Sequence, residues 1–397
     1  MNRQDQVRRP PLWLAAAAVA SGWASVYSVV TWIRQFIVAP SHDDVRLYYV
    51  AAEAGLKYGW SAIYDQAVLR SLSSSFPAAT RLVDEKTFAS TPLLAWVFAP
   101  LTAFPEPVAY VLWVVLSIAA LAFAWHIAAP YSGTAKLTLL LLAIGLWPVL
   151  LTLYFGQPTL IVLALVAGAW WLCTKDRMLE AGALLAVATF LKPQAVVLLP
   201  LALLVSGRYR VVAAWAAGCT VLGVLTVVSI GSSGLIAWWN IVRVVQGLPL
   251  DTMFTLAGPL GTGPITHLLW GLELAAALVI AWRRRRDVEV VFAAGLLGTV
   301  ATASYFHNSD YSILLLPAWL VLRTSPPLWH RLWLAVGILP MQLLLTGFLA
   351  GPQLIWDAAW LAILAIEALP ALHAKAVPAE VVVSARRTDE TARRVGL

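Results

Sequence analysis

Charge is what this chain has least of. Only 12% of its residues are Asp, Glu, Lys or Arg, where a soluble domain carries about 25%. An ordinary soluble fold is therefore excluded. Cysteine is nearly missing as well: Cys173 and Cys219 both fall inside apolar runs, which argues against a disulfide framework and leaves the redox compartment open. No Gly-rich loop follows a strand-like run, and no His or Cys pair stands at metal-ligand spacing, so neither a phosphate loop nor a zinc site is signalled. No internal repeat and no second, soluble domain is visible. What is present instead is apolar: 61% of the residues are hydrophobic and the mean hydropathy is +0.80. About 20 such residues in a helix cross a hydrocarbon core of about 30 Å, and many stretches meet or approach that length. The class is an all-α integral membrane protein of many spans. The net charge of +7 comes largely from Arg/Lys groups between apolar runs, which read as cytosolic anchors rather than a nucleic-acid surface.

In chain order, Met1–Pro10 carries Arg3, Arg8 and Arg9 and is expected in the cytosol. Leu12–Ile33 is the first span; Ala18-Val19-Ala20 would pass as a signal-peptide cleavage site, but the run is longer than the usual apolar region, favouring an uncleaved anchor. A polar segment, residues 34–90, follows as the first extracytoplasmic loop. Within it Leu47, Val50, Ala51, Ala54 and Tyr58 recur at helical spacing, as in an interfacial helix. Asp65–Leu72 is a second short helix and Phe76-Pro77 a turn. Eleven further apolar runs are Pro92–Phe104, Pro107–Ala128, Leu137–Phe155, Pro158–Cys173, Leu179–Ser206, Val211–Ile230, Pro264–Trp282, Val288–Ser304, Tyr311–Leu322, Leu328–Ala350 and Pro352–Leu372. Twelve spans put both termini on one side, with Arg208-Tyr209-Arg210, Arg283–Arg286, Arg323 and Arg331 in the cytosol and residues 34–90, 231–263 and 305–310 outside. Residues 373–397 are charged and poor in large hydrophobes, and read as a disordered cytosolic tail.

Lys175 and Arg177 fall outside in that arrangement, against the positive-inside tendency. A second arrangement breaks Leu179–Ser206 into a hairpin at Lys192-Pro193 and lets Pro92–Phe104 dip in without crossing. It also has twelve crossings, and brings Gln157 and Lys192 to the outer face. The first leaves Gln157 at the cytosolic end and Lys192 at mid-depth.

Ionisable groups concentrate in Ser41-His42-Asp43-Asp44-Val45-Arg46-Leu47-Tyr48-Tyr49, just past the first span. Asp43 and Asp44 suit a helix N-cap or a base; Arg46 suits lipid phosphate or a pair with Asp43; Tyr48 and Tyr49 suit an interface. His307, Asn308 and Asp310 share a short loop between spans, where ionisable groups are functional candidates. Lys192 lies in an apolar run, where a charge costs about 2.5 to 3.5 kcal/mol or more; a phosphate contact or a buried ion pair would account for it. Gln157 before Pro158 is either functional or a turn residue. Trp238-Trp239-Asn240 packs on the bilayer or stacks on sugar. His126 and His267 read as core or helix-packing residues, and Glu273 likewise or as the partner of a basic group.

Several of these stretches together resemble a known family. Asp44-Val45-Arg46-Leu47-Tyr48-Tyr49-Val50-Ala51-Ala52 with Gly55-Leu56 and Tyr64-Asp65, Thr91-Pro92-Leu93-Leu94-Ala95, Gly156-Gln157, Ala181-Gly182 with Leu191-Lys192-Pro193, and Ser304–Asp310 before Leu314-Leu315-Leu316-Pro317 occur in order over about two-thirds of the chain. This series is similar to glycosyltransferase family 87, the mannosyltransferase-like, polyprenyl-phosphate-sugar-dependent enzymes of GT-C architecture. The departures are Pro158, where the family has a small residue and Asn after Gln, and Ser304-Tyr305, where Pro is commoner.

The resemblance implies a GT-C domain over residues 1–372 in the cytoplasmic membrane, with its active site facing outward. It implies transfer of a hexose, mannose in the family's pattern, from a polyprenyl-phosphate donor to a lipid or glycan acceptor. Asp44 becomes the general base of an inverting displacement and His307 a catalytic partner that contacts phosphate or assists the base. Asp43, Arg46, Tyr48, Gln157, Lys192, Asn308 and Asp310 become substrate-binding. The residue types suit the chemistry. A lipid phosphate leaves readily, so the enzyme must take the acceptor's proton, worth about 10² to 10⁴ in rate, and stabilise charge growing on the phosphate. No metal, cofactor or nucleic acid is called for; membrane lipids, donor and acceptor are the partners. The rival class is a transporter or flippase. Transporters show repeated halves and mid-membrane polar groups; the break at Lys192-Pro193 favours that reading, and the missing repeat opposes it.

Overall fold

The computed structural model describes residues 11–40, 43–74, 88–245, 252–344 and 350–369, and among these every regular element is helical. In chain order the helices are α1 (Leu12–Val38), α2 (Asp43–Tyr58), α3 (Gln66–Ser73), α4 (Pro92–Phe98), α5 (Glu106–Ala128), α6 (Gly133–Gly145), α7 (Trp147–Phe155), α8 (Thr159–Thr174) and α9 (Met178–Leu191). They continue as α10 (Leu199–Val205), α11 (Tyr209–Val245), α12 (Ala257–Leu260), α13 (Pro264–Arg283), α14 (Val288–Ala301), α15 (Leu315–Arg323), α16 (Leu328–Val336), α17 (Ile338–Leu343) and α18 (Ala350–Ala368). Four of them, α1, α5, α11 and α13, are long and apolar enough to cross a membrane, and α6 with α7, bent by 57° at their junction, would make a fifth span. The expectation of twelve exceeds this set because the remaining apolar runs fold as short or broken helices.

One group of basic turns and one polar centre define the two ends of the bundle. Helix α8 runs for 16 residues from Thr159 to the Lys175–Arg177 turn, about 24 Å at 1.5 Å per residue. Helix α9 then returns to Lys192. From there a 3₁₀ turn (Pro193–Ala195) and α10 lead back to Arg208, whose guanidinium donates to Ser206 Oγ at 2.8 Å and to the Arg285 carbonyl at 3.0 Å. Arg210 lines a cleft with Asp176, Arg177 and Glu180, and the Arg323 guanidinium lies 4.9 Å over Trp170 near the end of α8. The turns at 175–177, 208–210, 283–286 and 323 therefore share one end.

The run Leu179–Ser206 is thus a hairpin with Lys192 at its tip. Close packing of its first leg needs Gly182, where a Cβ would come within 2.5 Å of the Val211 carbonyl and of Ala214. Segment 92–104 starts and finishes at the Lys192 end: the Thr91 hydroxyl donates to the Phe190 carbonyl, and the Tyr49 hydroxyl donates to the Phe104 carbonyl at 2.9 Å. Both ends of this segment thus lie together. The contacts agree with the hairpin and the non-crossing segment of the second arrangement, and place Lys175 and Arg177 with the other basic turns.

Three expectations need correction. Helix α2 is packed in protein rather than laid along an interface: Val45, Leu47, Val50, Ala51 and Ala54 are buried, and only its last turn, Leu56–Tyr58, is exposed. The loop expected from Gly231 begins with helix, because α11 kinks at Gly231 (φ 64°) and continues to Val245. His126 and His267 are exposed rather than core residues. The short helix after Asp65 is present as α3, with the Asp65 carboxylate capping the Ala67 and Val68 N–H groups. Phe76-Pro77, the first ten residues, His42 and the tail from 373 lie outside the described residues.

Candidate active site

The first turn of α2 carries Asp43 and Asp44, where the helix dipole favours carboxylates. The α2 backbone is seated against α7 at Gly156, which ends that helix in the left-handed region (φ 73°). A Cβ at Gly156 would overlap the Val45 side chain, so glycine is needed both for the turn and for the approach. Trp113 on α5 fixes the same turn by donating to the Gly156 carbonyl at 2.7 Å. The next residue, Gln157, is thereby held beside Asp44.

Four elements then meet through one chain of bonds. Gln157 Nε2 donates to Asp44 Oδ2 at 2.6 Å. Lys192 Nζ donates to Gln157 Oε1 at 2.7 Å and to Thr159 Oγ1 at 2.9 Å, and pairs with Asp310 Oδ1. The Thr159 hydroxyl donates to Asp310 Oδ1 at 3.2 Å. Asp310 Oδ2 accepts the His307 backbone N–H at 3.0 Å, with the His307 ring Nδ1 at 3.9 Å. Lys192 and Asp310 are 3% and 0% exposed; the ion pair repays much of the desolvation that isolated charges would suffer there. An ammonium has three protons and no acceptor, and all three of Lys192's are committed.

A second buried cluster supports α2 from behind. Arg46, 1% exposed, has its guanidinium 3.0 Å from Asp43 and 3.3 Å from Glu106 at the start of α5. Of the two readings open for Arg46, the structure has the pairing with Asp43. Tyr48 lies one turn below Asp44, edge-on to Phe98 at 5.3 Å. Burial first, then the charges of Asp44, Tyr305 and Asp310, hold its hydroxyl well above the usual phenol range. His307 is partly exposed and meets the edge of Tyr305 at 5.0 Å. The Asn308 side chain accepts the Ser309 N–H at 2.9 Å.

Asp43, Asp44, Arg46, Tyr48, Gln157, Lys192, His307, Asn308 and Asp310 thus gather at one end of the bundle. Trp238 packs in the protein, donating to the Ala89 carbonyl at 3.0 Å and stacking on Tyr64, while Trp239 is exposed. Glu106, Thr159 and Tyr305 belong to the site and were not singled out from sequence. Glu106 opens a long apolar run directly after Pro105 and reads as its edge. Thr159 and Tyr305 stand beside residues that were singled out, which was the available signal.

A bundle of apolar helices with a charged, partly open polar centre at one end is a membrane protein of the enzymatic kind. The profile of glycosyltransferase family 87 matches residues 88–306, more than half of the chain, and the chain belongs to that family: it is a membrane glycosyltransferase. The match contains Gln157 and Lys192; Asp44 lies before it, and His307 and Asp310 just after. No curated protein and no solved structure matches the chain.

Proposed function

We propose that the enzyme transfers a hexose, mannose by its family resemblance, from a polyprenyl-phosphate donor to a lipid or glycan acceptor, with Asp44 as general base. The observation that carries this is the state of the Asp44 carboxylate. Its Oδ2 is tied to Gln157, while Oδ1 has no partner among the described residues and the side chain is only half-buried. An acceptor hydroxyl would give its proton to Oδ1 as its oxygen attacks the anomeric carbon. The bond from that carbon to the phosphate oxygen breaks, its electron pair leaves with the polyprenyl phosphate, and the configuration inverts. His307 and Asn308, on the open side of the network, would receive the phosphate; a protonated imidazole there stabilises the growing charge.

The basic turns at the far end support an outward-facing site, since Lys/Arg-rich turns stay in the cytosol. Legs that alternate between the two ends support twelve crossings in the cytoplasmic membrane, several by short or broken helices. The test is transfer from radiolabelled polyprenyl-phosphate mannose to a mixed lipid and glycan acceptor pool. Asp44→Asn is expected to fold and bind donor while turnover falls about 10²- to 10⁴-fold; undiminished turnover removes the assignment. Movement of donor across vesicles without transfer would favour the transporter instead.

A further inference from the structure

The geometry points to Gln157 as a positioning residue rather than a substrate contact: it aims the Asp44 carboxylate, and Lys192, held by Asp310 and Thr159, fixes which way Gln157 faces. This rests on Asp44 being the base. The two ends of a glutamine amide differ in role, since the oxygen only accepts and the nitrogen only donates. Lys192 Nζ can only donate, so the group 2.7 Å from it must be Gln157 Oε1. The nitrogen is then forced toward Asp44, which it meets at 2.6 Å. An amide turned the other way would set an NH₂ against an ammonium and an oxygen against a carboxylate, two repulsions in place of two bonds.

The aim of Lys192 is fixed in turn. Thr159 accepts from it at 2.9 Å, and Asp310, fully buried, takes its remaining proton. Asp310 is itself held by the His307 N–H at 3.0 Å, and α7 is tied to the same turn through the Thr152 hydroxyl, 2.9 Å from the Ser309 carbonyl. The two acceptors that compete with Gln157 for Lys192 are thus held in place, Thr159 by Asp310 and Asp310 by the His307 backbone. The consequence falls on Asp44. With Oδ2 fixed, rotation of the carboxylate stops, and Oδ1 is the one oxygen presented to an acceptor hydroxyl.

The charged and titratable groups around Asp44 are Asp43, Arg46 and Tyr48 on α2, Glu106 on α5, Lys192, and Tyr305, His307 and Asp310 on the turn after α14. Among the described residues Gln157 alone bonds to Asp44 directly.

The experiment uses the full chain in detergent, with radiolabelled polyprenyl-phosphate mannose and the mixed acceptor pool. Gln157→Leu should lower kcat about 10- to 100-fold, the loss expected for one hydrogen bond to a charged group, with the donor KM within about twofold. In an Asp44→Asn background the same substitution should add no further loss, because the residue it acts through is gone. Gln157→Glu keeps the size and the Lys192 pair but sets a second carboxylate against Asp44; the acid limb of the pH–rate profile should move up by about one unit or more. That isosteric variant carries the test if Gln157→Leu does not fold. An additive loss in the Asp44→Asn background, or a change confined to donor KM with an unmoved acid limb, overturns the inference and makes Gln157 a substrate contact. A substrate-free readout separates this from failure of the base assignment. Carbodiimide, which reacts through protonated carboxyls, should label Asp44 faster at neutral pH in Gln157→Leu, whatever the Asp44→Asn turnover; unchanged labelling overturns the positioning role.

Discussion

Replacing Lys192 by methionine tests the network most directly, because it removes one charge and leaves its partner in place. Asp310 is 0% exposed and Lys192 3%, so no water can take over the lost role. The carboxylate would keep the His307 N–H at 3.0 Å and the Thr159 hydroxyl at 3.2 Å, but no cation. Breaking a buried pair from one side costs about 3 to 5 kcal/mol. The Lys192→Met/Asp310→Asn double variant removes both charges and keeps an oxygen for the His307 N–H. It should lie within about 1 to 2 kcal/mol of the parent, a coupling well above the scatter for independent sites. Unfolding in mixed micelles, followed by circular dichroism as SDS is raised, gives the three stabilities. The reasoning is refuted if Lys192→Met alone is as stable as the double variant. Turnover should stay low in both, since each leaves Gln157 without the donor that orients it.

Gly156→Ala should lose stability through two separable terms. The left-handed backbone at φ 73° costs a non-glycine about 1 kcal/mol or more, and overlap with Val45 costs about 1 to 3 kcal/mol; Val45→Ala should recover only the second in a melting series. Tyr48 sets an alkaline limit. Its hydroxyl is raised above the ordinary 10.0 by burial and by Asp44, Tyr305 and Asp310, so its contribution is complete below that pH and is lost as pH climbs toward the folded value. Melting temperature should fall on the alkaline side and fall less in Tyr48→Phe; equal slopes would count against the burial argument. Asp357→Asn should stabilise. Asp357 Oδ2 is buried without a hydrogen-bond partner among the described residues, while Oδ1 accepts from Gln353 Nε2 at 2.8 Å; an asparagine keeps that acceptor and has no ionised form to desolvate, a difference of about 1 to 3 kcal/mol where the carboxylate would ionise. A lower melting point would show that the carboxylate has a positive partner.

The class, the long spans and most members of the polar cluster were legible in the sequence; the cluster's wiring was not. Leu47, Val50, Ala51 and Ala54 announced a helix with one apolar face, and α2 is that helix. Periodicity reports that a face is apolar, not whether lipid or protein covers it, so the same pattern read as an interfacial helix when it is a buried one. Lys192-Pro193 announced a break, because proline cannot continue the backbone ladder. Whether the chain then goes on or turns back depends on Arg208 meeting Arg285, a contact between residues remote in sequence. Lys192 looked expensive alone and Asp310 looked like a loop residue; their pairing offsets much of that expense and was invisible because nothing local joins them. Glu106 was passed over for the opposite reason: at the edge of a span a carboxylate can reach water, and only the fold shows it turned inward to Arg46.

The ion pairs also constrain where the leaving group can sit. Around Asp44 the buried cations Arg46 and Lys192 are outnumbered by Asp43, Glu106 and Asp310, which leaves little positive charge there for the phosphate of the proposed donor. His307, whose side chain is 30% exposed, has its Nδ1 3.9 Å from Asp310 Oδ2. An inverting displacement needs base and leaving group on opposite faces of the anomeric carbon. In the proposed displacement the carboxylates around Asp44 would repel phosphate while the partly exposed His307 imidazole and Asn308 amide would receive it, which fits one orientation of a sugar phosphate. The buried pairs, which touch no substrate, would then set its direction by leaving only His307's side hospitable to negative charge.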